Sequence, residues 1–190
     1  MTRTATTIIA ALLAALQMEI SMAYAQTQDR PQVGTQTQPA FPNGATSLNE
    51  AYQDWTVLCA TSEKGRICLM TQQQRKSDTH QLVLAAEFNA VSANEMKGTL
   101  VLPFGLRLAD GVVLQIDEQA LSAPLPFATC LPTGCIIAAD FDAGMVKALR
   151  AGAALKLTAK AHDTGQNVLF SISLKGFAAA QDRAAALSAQ

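Results

Sequence analysis

Four cysteines in two tight pairs, Cys59/Cys68 and Cys130/Cys135, constrain this chain's fold more than any other feature. Ala60–Ile67 separates the first pair, with Gly65 placed for a turn, and Leu-Pro-Thr-Gly separates the second. Read as successive strands, Tyr52–Ala60 and Arg66–Gln74 put Cys59 and Cys68 at facing positions, where a cross-hairpin bridge is geometrically natural. Pro132 and Gly134 bend the chain back on itself between the other two. Four cysteines permit three pairings, and the local one is the expectation. Loops of about 10 and 6 residues closed in this way each stabilise by about 2–3 kcal/mol through the unfolded state. A redox role calls for C-x-x-C or a low-pKa thiol at a helix start, and neither pair has one. A zinc site needs closely spaced Cys and His ligands and competes with oxidative pairing outside the cytoplasm.

The N-terminus agrees with that compartment. Arg3 precedes the apolar run Ile8–Leu16, and Ala23-Tyr24-Ala25 has the small-x-small pattern read by signal peptidase. Residues 1–25 are therefore expected to be an export signal cleaved before Gln26, although Glu19 between core and cleavage site is unusual. The run is too short to span a bilayer, and no later segment reaches about 18 uninterrupted apolar residues. Residues 26–47, rich in Gln, Thr, Pro and Gly, are expected to be a flexible leader. Residues 48–180 should form the domain and 181–190 a tail.

The full chain has 14 basic and 15 acidic residues, and losing Arg3 and Glu19 with the signal leaves 13 and 14. Nucleic-acid binding needs clustered Lys and Arg, and Arg75-Lys76 is the only adjacent basic pair. Nothing in that balance points to nucleic acid, so none is expected as a partner, and there is no polybasic stretch for an anionic lipid surface.

From Leu48 onward the chain alternates with period two. Trp55, Val57 and Cys59 share one face of a strand, as do Cys68, Met70 and Gln72 of the next. Leu82, Leu84, Ala86 and Phe88 alternate in His80–Phe88, and Val112, Leu114 and Ile116 in Gly111–Asp117. Leu155, Leu157 and Ala159 are followed by Val168, Phe170, Ile172 and Leu174 in a second pair, joined through His162–Asn167. Gly98–Leu102 and Cys135–Ala139 are further strand candidates. Strands punctuated by Gly, Pro or Asn in this way predict an all-β antiparallel sandwich. Two helices interrupt it. Asp142 caps the first and Gly152 stands at its C′ position; the Ala-rich stretch Ala178–Leu187 is compatible with a second, C-terminal helix and equally with a frayed end.

Several blocks of this pattern resemble one family in order along the chain. Trp55-Thr-Val-Leu-Cys59 and Cys68-Leu-Met-Thr-Gln72 resemble the opening of the invasion-associated locus B family of exported bacterial proteins. Leu102-Pro-Phe-Gly-Leu106 and Gly111-Val-Val-Leu-Gln-Ile-Asp117 resemble its middle block. Phe127-Ala-Thr-Cys130 with Gly134-Cys135 resembles its second cysteine motif, and Ser173-Leu-Lys-Gly-Phe-Ala178 its closing one. The resemblance implies an immunoglobulin-like β-sandwich, exported to the periplasm or outer envelope of an alphaproteobacterium-like organism, or secreted from it. In pathogenic members the family is linked to entry into host cells. It brings no established catalytic residues and no cofactor.

The residues themselves offer little to a catalyst. His80 and His162 are the only histidines, and His162-Asp163 in a Gly-containing hairpin reads as a solvated turn. Adjacent Asp117 and Glu118 point to opposite faces of a strand. Asp140 and Asp142 are two apart, but capping already explains Asp142. There is no G-x-S-x-G elbow, no P-loop and no dinucleotide fingerprint. The expectation is a non-enzymatic protein without cofactor or metal that binds an unknown protein or envelope component. A periplasmic enzyme or redox factor with an unrecognised site is the alternative, and reactive thiols in the native protein would distinguish it. Phe104, Leu106, Leu125 and Phe127 lie in apolar, proline-containing segments and are the candidate partner patch. The competing reading has Phe104 and Phe127 closing the core.

Overall fold

Period-two alternation produces β-strands in two antiparallel sheets, with helices only where the alternation stops. The computed structural model describes residues 41, 44–63, 65–92, 94–120 and 123–189. The expected export signal and residues 26–40, 42 and 43 of the expected leader lie outside the described residues.

Strands β1 (Ser47–Tyr52), β2 (Trp55–Ser62), β3 (Gly65–Arg75), β4 (Leu82–Ser92) and β5 (Glu95–Leu102) follow one another as a meander. Strands β8 (Thr129–Leu131) and β9 (Gly134–Phe141) extend it beyond β5, giving a seven-stranded sheet in the order β1-β2-β3-β4-β5-β9-β8. A four-stranded sheet in the order β11-β10-β6-β7 contains β6 (Val113–Ile116), β7 (Gln119–Ala120), β10 (Ala154–Lys160) and β11 (Asn167–Ser173). Every pairing between these strands is antiparallel. The sandwich expected from the sequence is therefore the architecture.

One cluster of buried side chains joins the two inner faces, with Val57, Leu84 and Leu100 from the large sheet and Leu114, Leu155 and Ile172 from the small one. Helix α1 (Ala143–Ala151) buries Val146 and Leu149, and its N-cap Asp142 accepts a hydrogen bond from the Met145 amide at 2.9 Å. Gly152 follows α1 as expected but for a different reason. Its φ of −79° is ordinary, and a Cβ there would meet Ile116 Cγ2 at 2.5 Å, so close packing rather than a left-handed turn requires glycine.

Helix α2 (Phe177–Ser188) corrects the expected tail. The boundary drawn at residue 180 falls inside this helix, because Ala180, Ala184 and Leu187 are buried at successive turns. Its first residue, Phe177, stacks edge-on against Trp55 and Phe88 with ring centroids 5.2 and 5.8 Å apart. Phe88 meets Phe141 edge-on at 5.3 Å, and Gly98 beneath them leaves the rings their room, since a Cβ would lie 2.5 Å from Phe88. Gly176 begins the helix at φ +82° against the Tyr52 carbonyl, a position open only to glycine.

The start of the domain also shifts. Phe41, placed by sequence in the leader, is 2% exposed, with the Arg66 guanidinium 4.3 Å from its ring centroid. β1 then begins at Ser47, inside the segment expected to be flexible. Its inward residues Leu48, Glu50 and Tyr52 alternate, but the charged middle one hides the pattern from a hydropathy reading.

Candidate functional surface

Both cysteine pairs are bonded locally, Cys59 to Cys68 and Cys130 to Cys135. The β-ladder explains why. Two-residue turns close each hairpin, so Cys59 and Cys68 form a non-hydrogen-bonded pair in which opposite Cα atoms approach most closely. Their Cα separation is 4.1 Å, and that of Cys130 and Cys135 is 3.9 Å. The first bridge is buried against the core. The second leaves Cys130 exposed near one end of the sandwich.

At that end three connections converge. The β8–β9 turn presents Pro132 and Thr133, the β3–β4 turn presents Arg75, His80 and Gln81, and the β5–β6 loop presents Pro103 and Phe104; together they line a cleft of about 250 Å³. Gly134 sits where a Cβ would meet the Leu102 carbonyl at 2.5 Å, so the stapled turn lies directly against the strand that leads to Phe104. The β5–β6 loop is fixed on its other side to the β10–β11 hairpin: the His162 amide donates to Gly105 O and the Arg107 amide to Lys160 O, each at 2.8 Å. Phe104 is thereby held 58% exposed on a braced loop.

The four residues of the expected patch are not exposed together. Leu106 is buried at 7% exposure and bridges to Ala161, while Leu125 and Phe127 are partly buried and pack against the core. Only Phe104 faces outward. For Phe127 the core-closing reading describes the geometry; for Phe104 it does not.

The polar candidates have structural partners. Asp117, at φ +52°, accepts from the Ala153 and Ala154 amides through Oδ1, each at 3.1 Å, and ties β6 to the start of β10. Glu118 pairs with Lys156 at 2.9 Å. His162 and Asp163 are exposed in their turn, where Asp163 accepts from the Thr164 amide at 2.7 Å. Among the described residues, no group of three or more His, Cys, Asp or Glu is placed to hold a metal ion.

Two ion pairs fasten α2. Arg183 reaches both Glu50 oxygens, at 2.7 and 2.8 Å, and the Tyr52 hydroxyl donates to the same carboxylate at 2.8 Å. The Arg183 hydrogen bonds hold the Glu50 carboxyl below its ordinary value despite partial burial, and the hydrogen bond to Glu50 raises the Tyr52 phenol. Arg150 of α1 similarly holds Asp182 low across the helix pair, 2.8 Å away.

The sequence did not reveal the polar clasp between sheets. The Gln72 side-chain amide donates to Ser173 O at 3.0 Å and accepts from the Ser173 amide at 3.1 Å, like one residue of an added strand. The Trp55 indole N–H donates to the same carbonyl at 2.9 Å, and Gln74 donates to Ser171 O at 2.6 Å. The available signal was Gln72 itself, a polar residue on an otherwise apolar inward stripe.

Residues 55–185 match the family of Invasion associated locus B (IalB) proteins. The chain is 46% identical over 149 residues to an Invasion protein B homolog of Brucella abortus (strain 2308), covering 78% of this chain and 86% of the relative. It is 30% identical over 169 residues to Invasion protein B of Bartonella bacilliformis, covering 88% and 90% respectively. The crystal structure of invasion associated protein B from Bartonella henselae superposes with a TM-score of 0.69 at 32% identity, covering 74% of this chain and 97% of that one.

Proposed function

Since the chain belongs to the invasion associated locus B family, we propose that it is an exported, non-enzymatic envelope protein that works by binding a partner through the Phe104 cleft. The observation that carries this reading is Phe104 itself. Lone exposed apolar side chains are ordinary, but Phe104, 58% exposed, stands on a braced loop at the wall of a preformed cleft of about 250 Å³ beside Pro103, Pro132, Arg75 and His80. Export is supported by Arg3, the Ile8–Leu16 run and Ala23-Tyr24-Ala25. Disulfides persist in that compartment and not in a reducing cytoplasm, and all four cysteines are bonded here. Periplasm, outer envelope and secretion all fit these features. Among the described residues no helix is long and apolar enough to cross a membrane. The invasion-protein names of the relatives make a host-cell component one candidate partner, and a component of the bacterial envelope is the other.

A photoreactive phenylalanine analogue in place of Phe104, irradiated in intact cells, tests the reading. The expected result is a discrete adduct from position 104 and none from the same analogue at Leu169, which is equally exposed on β11. Equal labelling from both positions, or none from 104, contradicts it. Fractionation that finds the chain in the cytoplasm removes the export half.

A further inference from the structure

The two sheets have four outer edges, and three are blunted by recognisable means. β7 has 2 residues and β8 has 3, too short to template a strand. The Ser171–Ser173 end of β11 is occupied by Gln72, Gln74 and Trp55, leaving only its Asn167–Leu169 end open. β1 is different. It has 6 residues, all opposite β2, and the turn at Gln53-Asp54 fixes which of them hydrogen-bond to that strand. The Thr61 amide donates to Thr46 O at 3.0 Å, so Leu48, Glu50 and Tyr52 bond inward to β2. The N–H and C=O groups of Ser47, Asn49 and Ala51 therefore point away from the sheet, and no described residue hydrogen-bonds to them.

Among the described residues β1 has little of the usual protection. It contains no Lys, no Pro and no bulge. Its one charge, Glu50, turns inward, which is itself a protective device, but here it is neutralised by Arg183 and hydrogen-bonded by Tyr52. On the outer face Ser47, Asn49 and Ala51 are small, and behind them stand Leu58 of β2 with Ile67 and Leu69 of β3. These three apolar residues border a trough of about 440 Å³ with Ser47 and Asn49, and Ile67 is 54% exposed.

We propose that β1 is a strand-docking edge that accepts an extended segment of a partner protein with large apolar side chains at alternate positions. Main-chain pairing to Ser47, Asn49 and Ala51 supplies affinity, and alternate side chains supply specificity. On the outer face, long apolar side chains reach over the small β1 residues to Leu58, Ile67 and Leu69. On the inner face the neighbours are Glu50, Arg183 and Tyr52, which favours small polar residues at the intervening positions. A second copy pairing through its own β1 does not fill the trough, because it presents only Ser47, Asn49 and Ala51. The chain's own Gln32-Val-Gly-Thr-Gln-Thr-Gln38 likewise lacks large apolar residues at alternate positions. This site is separate from the Phe104 cleft and stands or falls independently of it.

The test uses the mature chain and two synthetic peptides with Lys at both ends, one alternating Thr and Phe, the other Thr and Ser. Affinity is measured by fluorescence anisotropy, and backbone amide shifts locate the binding. The Phe peptide should bind at least tenfold more tightly and shift Ser47, Asn49 and Ala51. Asn49→Pro, which removes the central edge donor, and Ile67→Ser, which removes an apolar wall, should each weaken it at least tenfold. Thermal melts of both variants establish that they fold. Equal binding of the two peptides, binding indifferent to Asn49→Pro in a folded variant, or shifts confined to β11 overturn the proposal. So does a β1–β1 dimer of the chain that the Phe peptide fails to dissociate.

Discussion

β1 and β11 are edge strands of similar length, 6 and 7 residues, in neighbouring layers of the same sandwich. β11 has its outward backbone groups met at one end by side chains from the opposite sheet. Gln72 both donates to and accepts from Ser173, and Trp55 and Gln74 add further donors. β1 is anchored from its inner face by Glu50 and Arg183, while no described residue bonds the outward backbone groups of Ser47, Asn49 and Ala51. Side chains of the fold can satisfy an edge without adding a strand. Where they do not, the edge can template another chain.

Proline substitution separates the two edges most sharply. Ser173→Pro removes a donor bonded to Gln72 and drives the ring into that side chain; a loss of about 3 kcal/mol or more in denaturant unfolding is expected. Gln72→Ala comes next. It leaves the Ser173 amide without its partner, while the carbonyl keeps Trp55, and it should cost about 1–3 kcal/mol. A smaller, pH-dependent effect belongs to β1. Because the Glu50 carboxyl titrates low in the folded protein, its contribution is present above the ordinary carboxylate pKa and is lost as pH falls through the folded-state value. Glu50→Gln should therefore lower the melting temperature near neutrality, and the gap to the parent should close on acidification. Asn49→Pro should have the least effect, under about 1 kcal/mol, because its N–H faces outward on an edge. A cost equal to that of Ser173→Pro breaks the comparison.

Strands with apolar inward residues were legible in the sequence because alternation records burial directly: Trp55-Val57-Cys59, Leu84-Ala86-Phe88 and Leu155-Leu157-Ala159 all face the core. The cysteine pairs were legible for the same reason, since strand register sets which positions face one another. β1 was not, because one of its inward positions is Glu50 and the group that makes this tolerable, Arg183, lies 133 residues away. The tail was misread similarly: α2 is Ala-rich, and nothing local shows that Ala180, Ala184 and Leu187 meet the core. Of the candidate patch, Phe104 stayed at the surface, while Leu106 is turned inward where it bridges to Ala161 and Phe127 packs against the core.

Residue-resolved amide hydrogen exchange on the free mature chain tests the contrast between the edges most directly. The Ser173 amide, bonded to Gln72, should exchange as slowly as core amides such as Leu157. The Ser47, Asn49 and Ala51 amides should exchange orders of magnitude faster, while Leu48 and Glu50 between them remain protected. Protection at Asn49 equal to that at Glu50 would mean that the edge is already paired in the free protein, and the account of β1 as an open docking strand would be wrong.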